Sequence, residues 1–230
     1  MLHRVNDWNA TRRPSKLAAS PACNRHGFAP VCLARFASAE TERIAMPDYP
    51  ARISPATANE LDAAQTTLLG GWGTMNFAAV LVHHPEFYAV FMPLIAKVIA
   101  GTNLPPHDRQ ILVMRTLALC DEEYEARHHA MISQTAGLDA ATIVAASGTK
   151  TELSGFDATL AQAAADLVRT QRIGDATWNA LAQTYSQVQL MEVVALVGTY
   201  VTMAMLTKSF GIQLEDKDTF ESFTQKRDYV

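Results

Sequence analysis

The residues whose types and spacing could do chemistry are concentrated in one stretch, Asp121-Glu122-Glu123-Tyr124-Glu125-Ala126-Arg127-His128-His129, with four acids and two histidines in nine residues. On a helix, side chains project at about 100° per residue. That spacing puts Glu123, Arg127 and Gln134 in one sector, the solvent face. Glu122, Glu125, His129 and Ile132 lie roughly opposite, with His128 at the edge. An unpaired charge on a core-facing stripe costs several kcal/mol, so this placement calls for a reason. One reason is a site: a carboxylate beside an imidazole raises the histidine pKa and lets the pair share a proton, as general acid–base catalysis requires. The other is helix electrostatics, with acids at the positive end of the dipole and Glu125 paired to His129 at i, i+4. Both readings are open at this level. Glu125-x-x-His128 also has the spacing of helical di-iron sites, but those need a second such motif. The sequence contains none, so the expected metal content is none.

The elements that must position these residues read as helices throughout. Apolar residues recur at helical spacing, and no alternation of period two is sustained. The expected fold class is all-α, a single domain of about eight helices. A helix is expected from near Thr57 to Leu69, ended by Gly70, Gly71 and Gly73, and another opened by Thr74 or Asn76, with its apolar run over Phe77–Val82. Pro85 opens a third that runs to Ala100 with a kink at Pro93. His107–Leu119 is apolar almost all round and so central, although it carries Arg109, Gln110 and Arg115. The acid–histidine helix is expected to be capped by Asp121 and closed by Gly137. Three further helices are expected, one from Asp139 to Ser147, one from Ser154 or Asp157 to about Gln171, and one capped by Asp175 and running to Tyr185; Ser186 caps a last one to Phe210. His83 and His84, before Pro85, read as a cap or as pocket residues. Arg115, inside an apolar helix, wants a carboxylate such as Glu122 or Glu125, or a substrate anion.

Composition sets the boundaries. Residues 1–38 hold six basic residues and one acid; the remainder holds 13 basic and 22 acidic residues. So acidic a body repels phosphate backbones, and no nucleic-acid partner is expected. Residues 1–45 read as a disordered N-terminal extension, either a targeting peptide or a segment upstream of a start at Met46. Residues 46–214 form the helical domain and 215–230 a loose C-terminal tail. Cys23, Cys32 and Cys120 make no metal or redox spacing and no disulfide framework. A reducing, cytoplasmic location is expected. The longest uncharged run, Val193–Thr207, is short for a bilayer, so no membrane partner is expected.

The run from Leu104-Pro105-Pro106-His107 to Val113-Met114-Arg115, the Glu123-Tyr124-Glu125-x-x-His128-His129 motif and Ala136-Gly137-Leu138 resemble the carboxymuconolactone decarboxylase family, which includes the alkyl hydroperoxidase D-like proteins. Asp175-Ala176-Thr177-Trp178, Gln189-Leu190-Met191-Glu192, Val197-Gly198-x-Tyr200 and Phe210-Gly211 extend the resemblance over about residues 50–215. It implies an alkyl hydroperoxidase D-like fold assembled into homo-oligomers, commonly trimers or hexamers. The hydroperoxidase branch uses Cys-x-x-Cys-x-x-x-His with a glutamate twelve residues upstream. Here Glu122 and Glu125 stand at the cysteine positions and Gln110 at the glutamate position. Carboxylates cannot cycle through sulfenic acid and disulfide, so dithiol peroxidase activity is expected to be absent.

The decarboxylase branch implies a lyase acting without a cofactor on a small organic acid or lactone, by decarboxylation, isomerisation or hydrolysis. On that reading His129, tuned by Glu125 and Glu122 and flanked by His128, is the general acid or base. Arg115, Arg109 and Tyr124 are the substrate-binding candidates. A non-catalytic helical oligomer that binds a small ligand is the reading from a different class.

Overall fold

Pro106–Leu119 sits where a helix with no dispensable face must sit, packed on four other helices at once. The computed structural model describes residues 49–149, 152–216 and 219, all within one compact unit. The expected transit-like segment and the cysteines Cys23 and Cys32 lie outside them. Among the described residues there are nine α-helices and no strand: α1 (Ala63–Leu69), α2 (Asn76–Leu81), α3 (Pro85–Ala100), α4 (Pro106–Leu119), α5 (Tyr124–Thr135), α6 (Ala140–Ala146), α7 (Gly155–Thr170), α8 (Asp175–Ala182) and α9 (Gln187–Phe210). A 3₁₀ turn, Gly70–Trp72, follows α1. The all-α expectation holds, with one helix more than the eight expected.

α4 packs against α5, α6, α7 and α9, and α9 also against α3, α7 and α8. Ile111, Leu112, Val113, Met114 and Leu117 of α4 are buried together with Arg109, Gln110 and Arg115. Its two ends therefore carry polar groups into the core, and each needs a partner there. α9 has 24 residues and by length and composition could cross a membrane, but half of its most apolar window is buried inside the protein. That is what a helix without a polar stripe does at the centre of a bundle.

Several boundaries differ from expectation for local reasons. The first helix begins at Ala63, because Asp62 and Gln65 form a reciprocal capping box there; residues 57–60 make a turn closed by Glu60 on Thr57. α3 continues through Pro93 from Pro85 to Ala100, and His84 caps it by accepting from the Phe87 N–H. α8 starts at Asp175 with Gly174 at its cap and ends at Ala182.

Asp121 does not cap α5. It takes φ of 51°, and its N–H and that of Glu122 reach back to the carbonyls of Ala118 and Leu117. This is a Schellman closure of α4 with an aspartate in the left-handed position, which short polar side chains tolerate. The closure is what delivers Glu122 and α5 into the core.

The C-terminal segment is placed by a similar device. Gly211 (φ 66°) ends α9, and a Cβ there would stand 2.0 Å from the Pro50 carbonyl oxygen. Only glycine lets the chain turn under the strap at 50–53, whose Arg52 and Ile53 N–H groups bond to the Phe210 carbonyl. Ile212, Leu214 and Glu215 are buried beyond the turn, so the loose tail expected from 215 does not include Glu215.

Candidate functional site

α5 brings its acid–histidine cluster inward as its spacing predicts: Glu122, Glu125, His128 and His129 are each under 5% exposed. Glu125, His128 and His129 line one wall of a cavity whose other walls are apolar, among them Trp72, Met75, Phe77, Ile95 and Met203. Its free volume of about 20 Å³ is room for one water.

Glu122 is placed differently. Its carboxylate accepts the N–H groups of Tyr124 (3.2 Å) and Glu125 (2.8 Å), satisfying donors that the helix start leaves open. Burial pushes its pKa up, while the Thr207 hydroxyl and those N–H groups pull it back. Glu122 therefore fixes the N-terminus of α5 and does not line the cavity.

His129 is held at both nitrogens. Nδ1 lies 2.8 Å from Gln110 Oε1 and Nε2 lies 2.7 Å from the Tyr200 hydroxyl. An amide oxygen only accepts, so Nδ1 carries the proton and Nε2 accepts from Tyr200. The ring is neutral: burial, with His128 and Arg109 nearby, holds its pKa down at about 3. Gln110 thus contacts the histidine without supplying a charge. Arg109 lies beside Tyr200, whose field partly offsets the desolvation of the guanidinium.

His128 faces another way. Its Nδ1 donates to the Tyr124 carbonyl at 2.8 Å, and Nε2 stands 3.3 Å from Glu215 Oε2, an ion pair off the line of a hydrogen bond. Glu215 Oε1 also accepts from the Tyr124 hydroxyl (2.5 Å) and from the Asn76 N–H (2.7 Å). Against the cost of burial, Glu215 and Glu125 raise the His128 pKa. Despite its own burial, Glu215 is held low by His128, Tyr124 and Asn76. The pair is therefore a buried imidazolium and carboxylate.

Glu125 is the exception. Its carboxyl has no hydrogen-bond partner among the described residues, and burial, Glu122 and Glu215 push its pKa up to about 8 in spite of His128. At neutral pH it is a protonated acid in the wall of a water-sized cavity.

The other sequence-predicted residues serve elsewhere. Arg115, 1% exposed, is bonded to the carbonyls of Ala145 (2.8 Å) and Gly148 at the end of α6. Those bonds hold that helix terminus, the Glu152 carboxylate acts on the guanidinium through its field, and Arg115 does not line the cavity. Tyr124 spends its hydroxyl on Glu215 and on the Phe77 N–H (3.2 Å), tying α5 to α2. Burial raises the pKa of Cys120, which leaves it a thiol. His83 bonds the Ser54 carbonyl.

Sequence reasoning missed two contributors, Tyr200 and Glu215. Tyr200 offered a signal, a phenol inside the mostly apolar run 193–207; Glu215 offered none. Away from the cavity, His107, Asp108 and Asp157 also bring ligand atoms within 4.8 Å of one another, with Asp108 further bonded by Tyr185 at 2.6 Å.

Compared with known families, residues 85–167 match the model of the carboxymuconolactone decarboxylase family. The matched stretch runs from the start of α3 into α7 and includes Gln110, Glu122, Glu125, His128 and His129; Tyr200 and Glu215 lie beyond it. No curated protein matches the chain.

Proposed function

We propose that this chain, with a carboxymuconolactone decarboxylase family domain at residues 85–167, is a lyase-type enzyme that works by cofactor-free proton transfer on a small organic acid or lactone, with Glu125 as the acid–base group. The observation that carries this reading is the Glu125 carboxyl, unbonded to described residues, with its pKa raised to about 8 beside the cavity. A group poised near the working pH can both give and take a proton. His129 cannot do so without giving up Tyr200 or Gln110, so its part is positional: it fixes the cavity wall from α5 to α4 and α9. This moves the acid–base role from the histidine to the glutamate four residues earlier.

In a decarboxylation, a protonated Glu125 can donate its proton to the carbon that carries the bonding pair as carbon dioxide leaves; that proton stays in the product, and solvent reprotonates the carboxylate before the next turnover. In an isomerisation it gives a proton at one atom and takes one back from another. The apolar walls keep the local dielectric low and strengthen that interaction. A ligand larger than water must displace part of the wall, and Trp72, half-buried in the glycine-flanked 3₁₀ turn, is the segment best placed to move. Dithiol peroxide reduction does not fit two carboxylates at the thiol positions. A homo-oligomer fits the reading, since Val188, Met191, Val194 and Met205 form an exposed apolar stripe along α9.

The test is turnover of a panel of carboxylated and neutral lactones by wild type, Glu125→Gln and His129→Gln. General acid–base catalysis contributes about 10²- to 10⁴-fold, and a loss of that order is expected for Glu125→Gln. Equal rates for wild type and Glu125→Gln would sink the role.

A further inference from the structure

We propose that Glu215, carried back into the core by the turn at Gly211, is a positioning residue of the cavity that holds the Tyr124 phenol and the His128 ring in place and keeps the imidazole charged beside Glu125. The inference deepens the acid–base reading and rests on it for its functional meaning, though the geometry stands alone. One carboxylate of the C-terminal segment joins two helices through three contacts: the Asn76 N–H at the start of α2 (2.7 Å), and on α5 the Tyr124 hydroxyl (2.5 Å) and His128 Nε2 (3.3 Å). The Asn76 side chain donates back to the Gln213 carbonyl at 3.0 Å, so the segment is stitched to α2 from both sides. Glu215 is itself buried, and a buried carboxylate is stable only when its oxygens are met in this way.

The consequence falls on the cavity. His128 is faced by Glu125 and Tyr124 from its own helix, by His129 next to it in sequence and by Glu215 from the C-terminal segment. The other two carboxyls, Glu122 and Glu125, are both pushed towards the neutral form by burial. Glu215 is the one held ionised, so it supplies the negative charge that the imidazolium needs. Without it, His128 falls to its neutral form, and the cation next to Glu125 is lost.

The experiment is an NMR titration of the His128 ring in the full chain, for wild type and Glu215→Gln. Glutamine keeps an acceptor for Tyr124 and Asn76 and removes only the charge. The expected result is a tenfold or greater loss of His128 proton affinity, the usual effect of removing an opposite charge at this distance. An unchanged titration overturns the proposal, since a merely structural Glu215 would alter melting and leave the titration alone. If Glu215→Gln does not fold, Glu215→Asp makes the same comparison: the charge is kept but drawn back by a methylene, and the midpoint must fall below wild type. The titration needs no substrate. Absence of lactone turnover in the wild type therefore removes the proposed activity without touching this result, while an unchanged titration in an active enzyme removes this inference alone.

Discussion

Replacing Glu125 by glutamine changes little in shape and removes one ionisable proton, and the structure fixes how its effect on stability must depend on pH. In the folded chain the carboxyl titrates at about 8, against an ordinary value of 4.5. Between those values the native state holds a proton that the unfolded state has released. Stability therefore falls as pH rises through this window, at about 1.4 kcal/mol per pH unit. Glutamine is neutral in both states and escapes this loss. Glu125→Gln should match wild type at pH 4.5, exceed it by about 3 kcal/mol at pH 7, and level off at about 5 kcal/mol above pH 8. Denaturant unfolding at five or six pH values measures the difference directly, with the denaturant slope checked for constancy. A flat difference across the window refutes the reasoning. A difference of opposite sign that grows with pH would mean an ionised, partnered carboxylate.

Other outcomes follow from the same contacts. Tyr200→Phe leaves His129 Nε2 buried without its donor and should cost about 1–3 kcal/mol by chemical denaturation; a neutral effect would mean that the contact is not formed. Gly211→Ala drives a methyl group into the Pro50 carbonyl at a left-handed position, and a loss of about 2 kcal/mol or more is expected in thermal unfolding. Arg115→Met removes the bonds to the α6 carbonyls and should destabilise by about 2–4 kcal/mol without changing KM for any substrate of the enzyme; a raised KM would restore Arg115 as an anion binder. Cumene hydroperoxide reduction with a dithiol donor should be undetectable, and activity that disappears in Cys120→Ser would reverse that assignment.

What the sequence conveyed well was whatever depends on periodicity. The 3.6-residue spacing of α5 put Glu122, Glu125 and His129 opposite Arg127 and Gln134, and the first three are buried. The all-round apolarity of 107–119 marked α4 as the hub. What it conveyed poorly was the identity of partners across space. Asp121 looks like an N-cap because its type is right, but whether it caps α5 or closes α4 depends on backbone dihedrals that one residue type does not specify. Arg115 called for a carboxylate by charge, and the fold offered it a helix C-terminus. His129 and Tyr200 are 71 residues apart and Tyr124 and Glu215 are 91 apart, so no local pattern links them. Glu215 looked like tail because a single acid after a helix-ending glycine carries no burial signal until the strap at 50–53 is in place.

The central claim is that a protonated carboxyl stands in the cavity wall at neutral pH. Carbon-13 NMR of the labelled Glu125 carboxyl, followed from pH 4 to pH 10 and assigned by its absence in Glu125→Gln, tests this most directly. A midpoint near 8 is the expected result, and a midpoint near 4.5 would contradict the claim.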